Sequence, residues 1–269
     1  MESSELRLIA IAVGNTRTRL GRFDGRTLHD PVSIANDEGV ERLADSAIAL
    51  AGDGAAHVVL ASVNEPLAEP IERRLSGEVS GSVWRAGRDL PIAMPNTLAD
   101  DTTVGADRWL NALAAFGRAR QACVVVDAGT AVTVDFVDGE GTFHGGAIAP
   151  GVRMMLGALA SGADALPAVE WDGALPAGGP FGQSTPDAML RGVLASVQGL
   201  VRDRVEAYAE AFGAYPQVVA TGGDSIALFE SSDLIEQIVP DLQLIGLQVA
   251  CERALSDDGE TLPEEADRA

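Results

Sequence analysis

Residues 122–150 read ACVVVDAGTAVTVDFVDGEGTFHGGAIAP, and this stretch decides the fold. Its apolar, β-branched run at 123–126 is short enough for a buried strand, and the strand exits into the polar segment 127–130. Strand character resumes over 132–136, and Asp138-Gly139 supplies a second tight turn. Glycine lets a backbone approach a ligand closely, while hydroxyl and amide groups donate to its oxygens. The sequence therefore predicts a β-hairpin whose polar end suits a nucleotide phosphate or a cation.

The start of the chain repeats this design. Residues 11–25, IAVGNTRTRLGRFDG, match residues 126–139, VDAGTAVTVDFVDG, in order and nearly in length. Two strand-glycine-hydroxyl-strand units in one chain suggest a duplicated fold with a ligand between its halves. One difference stands out, because Ala12 occupies the place that Asp127 has in the second copy.

Length and hydropathy favour two lobes. The chain has 269 residues, enough for two cores, and we expect an N-terminal α/β lobe over 1–115, a C-terminal α/β lobe over 116–255 and an acidic, disordered tail over 256–269. No apolar run approaches the roughly 20 residues of a membrane span, and MESSELR lacks a signal-peptide pattern. We therefore expect a cytoplasmic protein without a membrane partner. The two cysteines, Cys123 and Cys251, are expected to be core thiols.

The charge excludes several classes of function. All 19 basic residues are arginine, against 40 acidic residues, which gives a formal charge of -21. Without lysine there is no Walker-type phosphate lysine and no Schiff base. An acidic surface also argues against nucleic acid as a partner. Adaptation to concentrated salt and GC-rich coding both remain open as explanations of this composition.

Strands and helices alternate along the rest of the chain, as in an α/β protein. Residues 100–103 offer N-caps to a helix that runs to about 118 and carries Asp107 and Arg108 in its first turn. The aspartate there is explained either by helix electrostatics or by a role as acceptor of a substrate proton beside an anion-binding arginine. Thr185 is the expected N-cap of a long helix that ends near 212, and 145–151 reads as a glycine-rich bend.

Four segments carry a family resemblance: VGNTRTRLGRF, GADRW, VVVDAGTAVTVDFVDGEGTFHGGAIAPG, and the pair QSTPDAM and ATGGD. In this order and spacing they resemble the type III pantothenate kinases, of the superfamily that holds acetate kinase, sugar kinases and actin. The resemblance implies two ribonuclease H-like lobes from a duplicated unit in an actin-like kinase architecture. It also implies ATP-dependent phosphorylation of pantothenate, the first step toward coenzyme A, with Mg²⁺ and a monovalent cation, K⁺ or NH₄⁺, in a homodimer.

The resemblance further implies roles for individual residues. Asp107 is expected to be the general base, Asp127 to hold the monovalent cation, and Gly222-Gly223 to lie near the adenosine. The expected ATP contacts are Ala12, Val13, Gly14, Asn15, Thr16, Arg17, Thr18, Arg19 and Thr130. The expected pantothenate contacts are Gly105, Ala106, Asp107, Arg108 and Thr185.

Two departures from the family pattern leave alternatives open. The first motif normally begins with aspartate, where this chain has Ala12, and residues 93–103 lack the usual tyrosine. A carboxylate near magnesium and phosphate contributes strongly to phosphoryl transfer. The alternatives are a catalytically impaired relative with a regulatory or accessory role, another small-molecule kinase of the superfamily, and a phosphatase of that superfamily.

Overall fold

A computed structural model describes residues 7–52 and 56–257, without the side chains of 256 and 257. The chain divides into two compact units, which are described separately. Unit 1 contains the described residues up to Met94, Asp100–Gly117 and the chain from Asp241; unit 2 contains Pro95–Ala99 and Arg118–Pro240. Most of the expected tail at 256–269 lies outside the described residues.

Unit 1 is built on a five-stranded sheet in the order β3-β2-β1-β4-β5. Strands β1 to β3 form an antiparallel meander, and β4 and β5 add in parallel beside β1. The strands are β1 (Arg7–Val13), β2 (Arg17–Asp24), β3 (Thr27–Ala35), β4 (His57–Ser62) and β5 (Val83–Arg85). The helices are α1 (Gly39–Ala51), α2 (Glu65–Glu78), α3 (Ala106–Ala119) and α7 (Leu242–Asp257).

Unit 2 has a second five-stranded sheet, in the order β10-β9-β6-β7-β8. Strands β6 to β8 again form an antiparallel meander, with β9 and β10 parallel beside β6. The strands are β6 (Cys123–Ala128), β7 (Ala131–Val137), β8 (Phe143–Pro150), β9 (Gln217–Thr221) and β10 (Gln237–Ile238). The helices are α4 (Val152–Gly162), α5 (Thr185–Phe212) and α6 (Ser225–Phe229).

The two sheets therefore share one topology, three antiparallel strands followed by two parallel ones on the side of the first strand. Each unit also carries helices in the connections between its parallel strands, as is usual for crossovers of this kind. The predicted duplication and the α/β fold class are confirmed by this arrangement.

Alternation along the first strand of each sheet fills the cores. In β1, Leu8, Ala10 and Ala12 face the apolar side chains of α3 and α7. The intervening residues of β1 face α1 and α2. In unit 2, alternate residues of β6 pack with α4 and α5 in one cluster. Burial of a large aliphatic side chain stabilises a fold by about 1.5–3 kcal/mol, so both faces of these central strands hold their units together.

The unit boundaries differ from the expected 1–115 and 116–255. Helix α7 packs on the sheet of unit 1, where Leu244 and Leu247 join the cluster around Leu8 and where Gly246 lies so close to Leu110 that a Cβ would meet its carbonyl oxygen at 2.2 Å. Residues 95–99 pair instead with β8, since Phe143 N–H donates to the Pro95 carbonyl at 2.8 Å. The placement of α7 in unit 1 and that of residues 95–99 in unit 2 both depend on contacts between distant parts of the sequence.

Three local expectations also need correction. The N-cap of α5 is Ser184, whose hydroxyl accepts from Asp187 N–H at 3.3 Å, and Thr185 is the first helical residue. Helix α3 begins at Ala106, beyond the expected caps at 100–103. Residues 145–150, which were expected to lie in a glycine-rich bend at 145–151, belong to strand β8, because they pair with β7.

Candidate active site

The first polar turn lies between β1 and β2, at the carboxyl end of β1. Gly14 N–H donates to the Arg17 carbonyl at 3.0 Å and closes the turn, which leaves Asn15, Thr16 and Arg17 exposed. The parallel strand β4 ends at Ser62 beside Val13, so this turn lies at the edge where parallel α/β sheets bind their ligands.

Asn36, which the sequence analysis missed, braces this turn from behind. Its side-chain amide donates to the Gly14 carbonyl at 2.8 Å, and its backbone N–H donates to the Thr16 carbonyl at 3.0 Å. Its side-chain oxygen accepts from the Thr18 hydroxyl at 2.8 Å. Asn36 is 22 residues from Gly14 in sequence, and no local pattern indicates the contact.

Several residues expected to contact ATP are buried or already paired. Ala12 and Val13 are 2% and 0% exposed, so each offers a ligand only its backbone, and the Thr18 side chain is fully buried against Asn36. The Arg17 guanidinium donates to the Ser33 hydroxyl and carbonyl. The Arg19 guanidinium pairs with the Asp241 carboxylate at 2.5 Å. Two guanidinium groups therefore flank the first turn.

Helix α3 presents Asp107 in its first turn. One carboxylate oxygen accepts from Arg108 N–H at 2.8 Å, and the other has no hydrogen-bond partner among the described residues. A Cβ on Gly105 would lie 2.4 Å from the bonded carboxylate oxygen, so glycine leaves the space that this carboxylate occupies. The side chain is partly exposed, which gives a free carboxylate oxygen access to a ligand.

Val63 connects the start of α3 with the first turn. Its backbone N–H donates to the Val13 carbonyl at 3.1 Å, and its side chain would lie 3.6 Å from a Cβ on Gly105. Unit 1 thus brings the expected phosphate-binding turn and the expected pantothenate-binding segment to the same edge of one sheet.

The second polar turn, between β6 and β7, is enclosed by backbone. A Cβ on Gly222 would lie 2.4 Å from the Ala128 carbonyl oxygen and 2.5 Å from an Asp127 carboxylate oxygen, and Gly222 has a φ of +93°. On the other side, a Cβ on Gly151 would lie 2.2 Å from the Gly129 carbonyl oxygen. The expected cation ligand Asp127 and the expected ATP contact Thr130 therefore lie together, between two glycine-bearing segments of unit 2.

A salt bridge that the sequence analysis missed joins these two flanking segments. Arg153, two residues after Gly151, donates through Nη1 to both carboxylate oxygens of Asp224, at 3.2 and 3.3 Å. Asp224 follows Gly222 by two residues, and its side chain is 7% exposed. The partners are 71 residues apart, so only the fold shows the pair.

Thr185 lines a cavity of about 1050 Å³ between α4 and the start of α5 in unit 2. The walls are mostly apolar, with Met155, Leu159 and Met189 among them, and Gln183, Ser184 and Thr185 add polar groups. Hydrogen bonds from the Arg191 guanidinium and the Gln183 N–H hold the pKa of the Asp187 carboxyl below its usual range. The Asp187 side chain thus links the first turn of α5 to the Gln183 backbone before it and to the Arg191 side chain one turn later.

The described ranges contain neither a cluster of metal ligands nor a membrane-spanning helix. Over 7–52 and 56–257, no three His, Cys, Asp or Glu side chains group in a way that could hold a metal ion. The same residues include no helix with the length and hydropathy that crossing a bilayer requires.

Comparison with known families gives one consistent match. A model of the type III pantothenate kinase family matches residues 8–207. The chain is 34% identical to a type III pantothenate kinase of Syntrophotalea carbinolica over 250 residues, which cover 90% of this chain and 97% of the relative. It is 36% identical to one of Anaeromyxobacter sp. strain K over 254 residues, covering 91% and 99%.

Solved structures agree on the fold. An archaeal actin homologue is similar with a TM-score of 0.52 at 11% identity, over 92% of this chain and 100% of the other. At this level of identity the likeness concerns the fold alone, and it confirms the expected actin-like architecture.

Proposed function

This chain belongs to the type III pantothenate kinase family, and we propose how its own residues serve the reaction of that family. The enzyme transfers a phosphoryl group from ATP to pantothenate, a step of coenzyme A biosynthesis. Phosphoryl transfer needs the reactants held in line and the phosphate charge stabilised, so the residues act mainly by positioning. ATP is a cytoplasmic metabolite, which supports the cytoplasm as the proposed compartment.

In this proposal the turn from Gly14 to Arg17 binds the ATP phosphates. Its exposed backbone and the Thr16 hydroxyl offer donors suited to phosphate oxygens, and Arg17, whose partner Ser33 is neutral, adds positive charge in a protein of formal charge -21. The charge of Arg19 is offset by Asp241, so Arg19 contributes to an ATP contact mainly as a donor. Ala12, Val13 and Thr18 contribute by shaping the turn, because their side chains are buried.

Asp107 is the proposed general base, and its geometry is the observation that carries the mechanism. Its bonded oxygen fixes the carboxylate on α3, and its second oxygen is available to accept the proton of the pantothenate hydroxyl. Gly105, Ala106 and Arg108 are the proposed neighbours of pantothenate, with the Arg108 guanidinium suited to its carboxylate.

The test replaces Asp107 with asparagine. Asp107→Asn keeps the size and removes the basicity, so kcat should fall about 10²- to 10⁴-fold in a coupled assay while ATP binding persists. Asp45→Asn, an exposed aspartate on α1 of the same unit, is the matched control and should leave kcat unchanged. Full turnover in Asp107→Asn would exclude this assignment.

The metal ions are proposed to bind in two ways. We propose that Mg²⁺ is held by the ATP phosphates and by water, because this ion keeps several waters and commonly binds through substrate phosphates. For the monovalent ion, the Asp127 carboxylate oxygen and the Ala128 carbonyl oxygen both approach Gly222, and oxygen ligands of this kind fit K⁺ or NH₄⁺. Thr130 is the proposed ATP contact of this turn.

A cation titration tests the role of Asp127. Activity should rise with KCl or NH₄Cl well above the level that equal NaCl gives, and Asp127→Asn should lose that difference. Asp203→Asn, an exposed aspartate on α5, is the control. A normal K⁺ response in Asp127→Asn would assign the cation to other ligands.

We also propose a homodimer that uses the α4–α5 face of unit 2. Met154, Leu159 and Phe181 are 48%, 37% and 78% exposed, and Leu159 lines the cavity to which Thr185 also contributes. Large apolar side chains left exposed beside an apolar cavity are the kind of surface that an interface covers. Leu159→Arg should give a monomer in light scattering and raise the KM for pantothenate; an unchanged dimer would exclude this face.

A further inference from the structure

The Arg153–Asp224 pair leaves most of the guanidinium available. Only Nη1 faces Asp224, and Nε and Nη2 have no hydrogen-bond partner among the described residues. The Arg153 side chain is 61% exposed, whereas the Asp224 side chain is 7% exposed. A buried carboxylate thus holds one edge of an arginine whose other donors face solvent.

The Arg153–Asp224 pair lies next to the second polar turn. Arg153 follows Gly151, whose backbone lies against the Gly129 and Thr130 carbonyls, with Gly151 N–H donating to the Thr130 carbonyl at 2.9 Å. Asp224 N–H donates to the Ala128 carbonyl at 2.9 Å. Both partners of the salt bridge are therefore tied by backbone contacts to the same turn.

We propose that Arg153 is a direct ligand of the ATP phosphate chain and that Asp224 is its positioning residue. The proposal rests on the proposed function in one respect, namely that the turn at 127–130 contacts ATP. It adds a phosphate-binding guanidinium that no sequence motif indicated.

Chemistry favours a phosphate as the group that Arg153 binds. Arginine presents donors in a planar fork that fits two phosphate oxygens, and an aspartate on one edge reduces the freedom lost on binding. The turn already holds the carboxylates of Asp127 and Asp224 in a strongly acidic protein, so an anion bound there needs a neighbouring cation. Arg153 supplies such a charge from the protein itself, beside the monovalent ion proposed at Asp127.

The test measures ATP binding directly by calorimetry and catalysis by a coupled assay. Arg153→Met keeps the length and apolar stem of the side chain and removes the charged donors. Its Kd and KM for ATP should rise about 10- to 100-fold, with the KM for pantothenate unchanged. The Tm should fall as well, because the buried Asp224 carboxylate loses its partner, so ATP binding is compared at a temperature where both proteins are folded. Arg153→Lys should lose less, since it keeps the charge and loses the fork.

Two further measurements separate phosphate contact from a structural role. Adenosine carries no phosphate, so its inhibition constant should stay within about twofold in Arg153→Met if the arginine binds phosphate. Asp224→Asn should raise the KM for ATP by a smaller factor than Arg153→Met, because it loosens the arginine without removing it. Arg204→Met removes an arginine paired with Asp203 on α5 and is the control.

The outcomes are distinguishable. Unchanged ATP affinity in Arg153→Met overturns the proposal, and so does an equal loss of ATP and adenosine binding, which would mean that the pair only holds the two glycine segments together. A wild type that binds ATP but fails to phosphorylate pantothenate overturns the proposed function. In that case weaker ATP binding by Arg153→Met still supports the phosphate contact.

Discussion

The two polar turns occupy equivalent places in two sheets of the same topology, yet they are built differently. The turn at Gly14 is supported by side chains, since Asn36 bonds to both of its ends and two arginines flank it. The turn at Gly129 is supported by backbone, because Gly151 and Gly222 press against its carbonyls, and it carries the Asp127 carboxylate. Duplication thus preserved the topology of the two sheets, while the groups that support each turn diverged.

Glycine substitution should produce the largest contrast between the turns. Gly222→Ala places a Cβ 2.4 Å from a backbone oxygen at a φ of +93°, so we expect a loss of about 2–5 kcal/mol in stability. In Gly14→Ala the new Cβ would lie 2.9 Å from the Arg17 carbonyl oxygen, but the backbone at this position is outside the left-handed region. The loss of stability should therefore be smaller than in Gly222→Ala. Scanning calorimetry of both variants gives the comparison, and equal losses would mean that the turns are supported alike.

The second test introduces a carboxylate at position 12, which corresponds to Asp127 of the second turn. Ala12 is 2% exposed among apolar side chains, so Ala12→Asp should lower stability by about 1–3 kcal/mol even with Arg19 on the neighbouring strand. Ala12→Asn controls for volume in the same thermal unfolding measurement. An unchanged Tm together with a lower Mg²⁺ requirement would show that a carboxylate at position 12 reaches the metal-bound phosphates.

Removing the side-chain brace should have a moderate effect on the first turn alone. Asn36→Ala loses the bonds to Gly14 and Thr18, so the KM for ATP should rise about 3- to 10-fold. Asn36→Asp retains an acceptor for Thr18 and lacks the donor to Gly14, which isolates that single bond. A KM for ATP that stays at the wild-type value in both variants would show that the turn holds its shape without Asn36.

Lowering the pH should produce the smallest contrast between the two units. Burial raises the pKa of Glu72 in unit 1, but hydrogen bonds from Arg88 and Arg85 outweigh it and leave the pKa lowered. Burial also raises the pKa of Asp138 in unit 2, where bonds from His144 and two backbone N–H groups outweigh it and again lower the pKa.

A lowered folded-state pKa stabilises the protein above the ordinary value of about 4, and this contribution is lost as the pH falls through the folded-state pKa. The Tm should therefore fall below pH 4, and Glu72→Gln and Asp138→Asn should each reduce that dependence in their own unit. A pH dependence identical to the wild type in both variants would mean that other groups cause the acid loss.

The elements predicted from sequence were those with a strong local pattern. The apolar runs of β1 and β6 and the long periodic helix α5 appear close to the expected bounds. Strand β3 (Thr27–Ala35) was missed, because it is an edge strand with a proline and only Ile34 buried, so it shows no alternation. Its end also positions Asn36.

The candidate site was predictable where its residues are contiguous, as in the two turns and the start of α3. The Arg153–Asp224 pair and the packing of α7 on unit 1 join segments far apart in sequence. The burial of Ala12 depends on which face of β1 receives α3 and α7. Contacts of this kind are set by tertiary packing, which a local pattern does not encode.

The distribution of the two cysteines gives the molecule a pair of internal reporters. Cys123 lies in β6 of unit 2 and Cys251 in α7 of unit 1, at 0% and 2% exposure, and burial raises the pKa of each thiol to about 12. A thiol reagent can reach either sulfur only when the surrounding structure opens. The labelling rates of Cys123→Ala and Cys251→Ala therefore measure the opening of each unit separately, with the natural residue as the probe. ATP or pantothenate added during labelling would reveal which unit each ligand holds closed.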